Sequence, residues 1–327
     1  MDKSLEKLEE LSRCFQQSRI LLTAVELGLF DHLEQPLASA ELAARVGVGE
    51  RALGILLDAL AALKLIAKDS GRYRNGEAVS KWLVSGKPDW RGAIFRHTAN
   101  YWAGWNQLTR TIRGGHEAID EHQREGEEQR AFILGMHAIA RDLAPRLAAM
   151  LPLPESGEAL DIGGGPGTYA MAFCRARPKL RVTIFDRPST EPIARDVISR
   201  EGAEVAQRIG FRGGDFTADP LGSGYQFAWM SQVLHAYSEE ECAALIAKAA
   251  AALSSGGTLA VHEFALGRDK TSPLRAALFS VHMLLMTPGG RAYGREEIGG
   301  WLRQAGLRRV SERRASGSTS LILGSKP

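Results

Sequence analysis

EALDIGGGPGT, at residues 158–168, joins an apolar run ending in Asp161 to a tight loop with Gly163, Gly164, Gly165 and Gly167, and then to a helix starting near Thr168. Glycines let the backbone turn sharply and approach a ligand closely, while a helix N-terminus offers free N–H groups and partial positive charge. This is the pattern of a nucleotide-type site. The spacing is G-x-G-x-G, with Thr168 where a dinucleotide fingerprint has its third glycine. An acid immediately before the loop, Asp161, would repel a pyrophosphate and suits an ammonium. S-adenosylmethionine carries both charges: its carboxylate can face the helix N-terminus while its ammonium and sulfonium face acids and carbonyls. The loop reads as a methyl-donor site, with a dinucleotide-dependent dehydrogenase and a glycine turn that only packs strand on helix as the alternatives.

Two further acids follow at the expected strand ends. LRVTIFD, residues 180–186, is a β-branched run closed by Asp186 before Arg187 and Pro188 break it. Its distance from the loop suits a carboxylate that accepts from both ribose hydroxyls. Such charge-assisted bonds are worth about 1.5–3 kcal/mol each. In FRGGDF, residues 211–216, Asp215 can take the adenine amino group and Phe216 can lie on the ring. Alone, Gly-Gly-Asp would be read as a turn. With Ser231 at the end of the next run, the donor set is Asp161, Gly163, Gly165, Gly167, Asp186, Asp215, Phe216 and Ser231.

The 327 residues, 44% of them hydrophobic, can bury a large core and suit two domains. A formal net charge of +3 argues against a nucleic-acid coat or a polybasic membrane patch. Cys14, Cys174 and Cys242 lie far apart without metal or redox spacing, as expected of reduced thiols in a soluble cytoplasmic protein. The charged N-terminus and the absence of a membrane-length apolar run fit the same expectation. No histidine pair has ligand spacing, so no metal is expected. The charged stretch HEAIDEHQREGEEQR, residues 116–130, reads as a solvated loop and helix start.

Periodicity changes near residue 150. Before it the apolar spacing is helical; after Pro152 and Pro154 strands alternate with helices at 159–163, 182–186, 207–213, 227–231 and 258–264. That is an α/β chain with a parallel, helix-covered sheet, closed by an antiparallel pair at 307–313 and 319–323. The predicted domains are 1–90 for dimerisation, 91–150 as a helical linker that contributes to the acceptor pocket, and 151–327 for the donor. Within the first, residues 39–65 resemble a helix-turn-helix and 67–77 a wing with Arg72, Tyr73 and Arg74. A recognition helix needs exposed Arg, Lys, Asn or Gln. Here ERALGILLDALAALKLI is apolar on most of its surface, with Asp58 in mid-helix. Dimerisation is therefore favoured, and a DNA-binding regulator with a ligand-sensing domain is the rival.

The chemistry is carried by WMSQVLHAYSEEEC, residues 229–242, in which His235 follows the fourth strand at the edge that holds the donor. A histidine there can take a proton near neutral pH. His262-Glu263-Phe264 closes the next strand, so Glu263 can reach the same crevice and fix the imidazole tautomer.

Together these residues resemble the two-domain, S-adenosylmethionine-dependent O-methyltransferases of the caffeate, flavonoid and acetylserotonin type and their bacterial relatives. The resemblance covers nearly the whole chain. It rests on the winged dimerisation region, DIGGGPG, the FD at Asp186, the GGDF at Asp215, the LH at His235 with SEEEC after it, the HEF at Glu263, and TPGG at residues 287–290. It implies a Rossmann-like seven-stranded sheet, a homodimer, a small-molecule acceptor, and catalysis by His235 as general base with Glu263 beside it. Phe132 and Met136, one helical turn apart, fall where the family lines its acceptor pocket. Two departures stand out. The family's frequent His-Asp-Trp is His235-Ala236-Tyr237 here, and a second acid expected just after TPGG-Arg291 is replaced by Ala292-Tyr293. Nitrogen or carbon acceptors, and chemistry other than methyl transfer, stay open. Tyr101, Trp102, Trp105, Phe132, Met136, His137, Phe279, His282, Met283, Met286 and Tyr293 favour a flat, apolar acceptor. Trp102, Phe132, Met136, Met283 and Tyr293 are the acceptor residues chosen from that set.

Overall fold

A computed structural model describes residues 2–114 and 125–327. Most of the charged stretch read as a solvated loop therefore lies outside the described residues. The chain forms two compact units, Met1–Trp102 and Ala103–Pro327. The expected linker 91–150 is accordingly no unit of its own, since residues 91–102 fold with the first unit and 103–150 with the second.

The first unit begins with the helix Lys3–Glu26, whose N-terminus is held by Asp2 accepting from the Ser4 N–H at 2.8 Å. Its C-terminal turns bury Leu22, Ala24 and Val25, but Leu5, Leu8, Leu11 and Phe15 stay 48–71% exposed in one stripe. Helices Ser39–Val46 and Glu50–Ala62 follow, the second burying Leu53, Leu57 and Leu60 at helical spacing. Strands β1 (Leu37–Ala38), β2 (Ile66–Asp69) and β3 (Arg72–Asn75) form an antiparallel sheet in the order β1-β3-β2. The side chains first assigned to a wing are largely tied down. Arg72 donates to the Pro36 carbonyl and pairs with Glu41, and buried Tyr73 donates to Asp58 at 2.7 Å.

The second unit is built on seven strands: β4 (Ser156–Ile162), β5 (Lys179–Asp186), β6 (Ile209–Gly213), β7 (Tyr225–Ser231), β8 (Leu253–Glu263), β9 (Arg308–Arg314) and β10 (Ser320–Ser325). Their order is β6-β5-β4-β7-β8-β10-β9, parallel from β6 to β8, with β10 antiparallel to both its neighbours. Strand alternation gives each face its own core. Leu160, Ile162, Met230 and Val261 pack with Leu245, Ile246 and Leu302 on one side, while Ala159, Ile184, Trp229 and Ala260 pack with Leu147, Met171 and Phe173 on the other. The same alternation sends His262 and Glu263 to opposite faces. Since β4 is flanked by β5 and β7, the chain reverses its winding there, and in such sheets ligands bind in the crevice beyond the carboxyl ends of the strands.

Candidate active site

The donor side is assembled at the end of β4. Gly163 and Gly167 hold positive φ, and a Cβ would lie 2.7 Å from Val233 Cγ2 at the first and 2.8 Å from Ile184 Cδ1 at the second. Only glycine fits both the turn and the space. Helix Thr168–Ala176 starts from Gly167, which supplies no side-chain cap, and its first turn adjoins the loop. Asp186 is 9% exposed at the end of β5 and grips the loop: it accepts from the N–H of Gly165 at 2.8 Å, the N–H of Arg187 at 2.7 Å and Thr190 Oγ1 at 3.1 Å. Burial raises its carboxyl above the ordinary value, with those donors pulling the other way.

Asp161 is 1% exposed. The Ala170 N–H bonds its carboxylate, but Oδ2 has no partner. Burial, with Asp186 adding like charge, pushes it up to about 8. A buried acid with one orphaned oxygen, beside a helix N-terminus and a glycine cradle, fits the ammonium, carboxylate and sulfonium of S-adenosylmethionine. Phe216 stands half-buried near Gly163, edge-on to Tyr237 at 5.8 Å. Asp215, next to it, is exposed and caps its own turn by accepting from Thr217 N and Oγ1 at 2.8 and 2.6 Å, which holds its carboxyl below the usual range. Ser231 lies within the sheet side of the site, its hydroxyl 2.9 Å from His262 Nδ1 and bonded to Tyr169. The helix Gly126–Ala140 reaches the same end: Gln129 donates to Ser189 at 2.7 Å, and His137 Nδ1 lies 2.8 Å from Thr168 Oγ1.

The turn after β7 brings the His235 candidate against Glu263. Gln232 adopts φ +57° and its N–H bonds the His262 carbonyl at 2.9 Å. That turn aims the Val233 and Leu234 N–H groups at Glu263 Oε1, at 2.7 and 2.8 Å. Glu263 Oε2 lies 2.9 Å from His235 Nδ1. With Glu263 ionised, the proton on this bond belongs to Nδ1, and Nε2 keeps its lone pair. His235 is in turn set edge-on to Phe279 at 4.8 Å. Phe279 continues to Phe264 at 4.5 Å and to His282 at 5.9 Å, and Trp105 stacks on His282 at 6.3 Å. The Trp105 indole donates to His282 Nδ1 at 3.3 Å.

Of the acceptor residues chosen from the sequence, Phe132 and Met136 are half-buried on one side of helix Gly126–Ala140. Trp102 belongs to the first unit, where Arg19 lies over its ring at 5.6 Å. Met283 and Tyr293 are buried, both 2% exposed. The Tyr293 ring packs on Trp301 at 4.9 Å and its hydroxyl donates to the Tyr237 carbonyl at 2.5 Å, which uses up its polar end. Ala292, where a second acid was expected, is fully buried near Ala276, Leu266 and Phe279, its N–H on Ser280 Oγ at 3.2 Å. Missed in the sequence were the Phe264–Phe279–His282–Trp105 ring chain as a unit, and the Tyr169–Ser231–His262 link. Their residues stand on five separate elements, and no local spacing announces them.

This glycine loop and sheet order fit a methyl-transferring enzyme, and comparison agrees. Residues 102–308 match the family model of the O-methyltransferase domain, and residues 9–86 that of the O-methyltransferase dimerisation domain. The 3-hydroxy-5-methyl-1-naphthoate 3-O-methyltransferase of Streptomyces sahachiroi is 34% identical, over 98% of this chain and 94% of its own. The N,N-dimethyltransferase OxyT of Streptomyces rimosus is 30% identical, over 94% and 92%. Among solved structures, human N-acetylserotonin methyltransferase in complex with S-adenosylmethionine superposes with a TM-score of 0.88 at 25% identity, covering 100% of this chain and 98% of that one. The chain belongs to the S-adenosylmethionine-dependent O-methyltransferase family. It carries that family's dimerisation domain, and among its described residues no helix is long and apolar enough to cross a membrane.

Proposed function

We propose that this enzyme methylates a hydroxyl on a flat aromatic acceptor, with His235 as general base and Glu263 as its positioning residue. The observation that carries the reading is the hydrogen-bonded run from the Val233 and Leu234 N–H groups through Glu263 to His235 Nδ1, which leaves Nε2 as the basic atom. S-adenosylmethionine, when bound, supplies an electrophilic methyl group on its sulfonium. Asp161, Asp186 and the start of helix Thr168–Ala176 hold its charged ends and ribose, with Phe216 and Asp215 at the adenine. His235 Nε2 takes the hydroxyl proton as the acceptor oxygen gains the methyl, and Glu263 stabilises the imidazolium that forms. Phe279, Phe264, His282 and Trp105 supply flat surface beside that nitrogen, with Phe132 and Met136 as further lining.

The apolar cluster around Ala292 leaves Glu263 as the carboxylate recorded on His235 among the described residues. That single partner suits a phenol or enol, whose proton is already loosely held, over an aliphatic alcohol. A naphthoate hydroxyl, named for the Streptomyces sahachiroi relative, is an acceptor of this kind. The relative named as an N,N-dimethyltransferase makes an amine the second candidate. The exposed stripe Leu5, Leu8, Leu11 and Phe15 is proposed to be covered in a homodimer. Mass spectrometry of products from paired hydroxy- and amino-naphthoates tests the acceptor. Methylation of the amine alone would overturn oxygen as the acceptor.

A further inference from the structure

Two acids, Asp161 and Asp186, lie together beneath the glycine loop, and they are provided for in different ways. Asp186 takes three donors from the protein. Asp161 takes the Ala170 N–H, and its Oδ2 is left inside the protein with no partner. Space around it is tight: a Cβ on Gly164 would come within 2.6 Å of its carboxyl carbon. The groups that could set its charge come from three elements. From β5 there is Asp186, of like sign; from helix Thr168–Ala176 there is the hydroxyl of Tyr169, raised by burial and further by Asp161. From β7 there is Trp229, paired opposite Asp161, and that strand carries no Asp, Glu, Lys, Arg or His. Among the described residues no cation lies on Asp161, so its charge is to be met by a proton or by a ligand.

We propose that Asp161 holds a proton in the free enzyme and gives it up to solvent when the ammonium of the donor, or of its demethylated product, arrives beside it. The inference rests on the donor assignment made above. The balance is simple: the Oδ–H bond of Asp161 breaks, one proton goes to buffer, and the ligand's ammonium keeps all of its own. Burial with Asp186 as neighbour, which lifts the Asp161 carboxyl to about 8, supports a protonated resting state at neutral pH. Amino-acid ligands would then be bound with a proton released, and adenosine ligands without an amino-acid end would not. The site would distinguish the two by pH.

The test is calorimetry of the full chain at about pH 6.5, in two buffers of different ionisation enthalpy, with S-adenosylhomocysteine and with 5′-methylthioadenosine, which lacks the amino-acid end. The expected result is release of close to one proton with the first and none with the second. The Kd of S-adenosylhomocysteine should also fall about tenfold per pH unit and level off near pH 8, while that of methylthioadenosine stays flat. Asp161→Asn should abolish both the release and the slope and keep methylthioadenosine affinity. If that variant does not fold, the two-ligand comparison on the unaltered protein still decides. Binding of S-adenosylhomocysteine with no proton released, or equal release with both ligands, would overturn the proposal. Binding of neither ligand would instead break the donor assignment, and the proposal with it.

Discussion

The donor end of the sheet and the catalytic turn both rest on buried carboxylates at strand ends, yet the protein satisfies them differently. Glu263 is met at both oxygens, by two backbone N–H groups and an imidazole. Asp161 is left with an orphaned oxygen. Leaving a buried polar atom unpaired costs about 1–3 kcal/mol, and for Asp161 the proposed donor is what would answer it. In the function proposed above, the saturated carboxylate positions His235 and the unsaturated one waits for a charge. If that contrast is right, changes at the turn should act on turnover and changes at the donor end on affinity.

The largest effect is expected at the turn. His235→Ala should lower kcat by about 10² to 10⁴, or roughly 3 to 5.5 kcal/mol of barrier, without weakening S-adenosylhomocysteine binding. Calorimetry and initial rates on one preparation check both halves. A loss of affinity as large as the loss of rate would erase the distinction between the two ends. Glu263→Gln should come next, at about 10²-fold in kcat. The amide oxygen can still accept from Val233 and Leu234, but its NH₂ then faces Nδ1 and drives the imidazole proton to Nε2, the wrong tautomer for a base. Wild-type turnover in that variant would show that His235 does not act as the base.

Between the two ends lies His262, whose ring stacks on Trp229 at 5.7 Å with Nε2 unpaired. Burial lowers it from 6.5 to about 4. The unfolded chain therefore binds this proton more readily, and the stability that His262 contributes is complete above about pH 6.5 and lost as pH falls towards 4, about 3 kcal/mol in all. Asp161 acts with the opposite sign. Raised from 3.8 to about 8, it costs stability as pH rises through that range. Urea unfolding of the wild type and of His262→Gln at pH 7 and 4.5 separates them, since the variant should lose less on acidification. Equal losses would mean that His262 is not the acid-sensitive group. At the donor end, Asp186→Ala should weaken S-adenosylhomocysteine by about 10- to 150-fold, equivalent to 1.5–3 kcal/mol for a charge-assisted pair. A variant that binds normally but turns over slowly would contradict the division of labour.

The sequence made the strand ends legible because each candidate residue there closes a β-branched or apolar run: Asp186 and Ser231 end their strands as expected, Glu263 ends β8, and Asp161 stands one residue before the end of β4 at Ile162. Strand starts were less legible. β8 begins at Leu253, five residues before the expected 258, because LSSGG has the composition of a loop although it pairs in the sheet with a register shift. The acceptor side was hardest to read. Met283 and Tyr293 share their residue types with pocket linings and with cores, and both are buried here. Phe279 and His282 carry no motif, and they acquire meaning only when helix Leu274–Met286 is seen against the catalytic turn.

The smallest expected effect concerns the turn's one strained residue. Gln232 sits at φ +57°, where an L side chain costs about 1–2 kcal/mol over ordinary backbone. Its amide also donates weakly to the His262 carbonyl at 3.3 Å. Gln232→Gly removes the strain, loses that bond and raises the entropy of the unfolded chain, three terms that nearly cancel. Stability should therefore change by less than about 1 kcal/mol. Because Glu263 still holds the Val233 and Leu234 N–H groups, His235 should stay in place and kcat should change no more than about threefold. A far larger fall in kcat at unchanged stability would mean that the Gln232 side chain, and not the carboxylate behind it, aims the base.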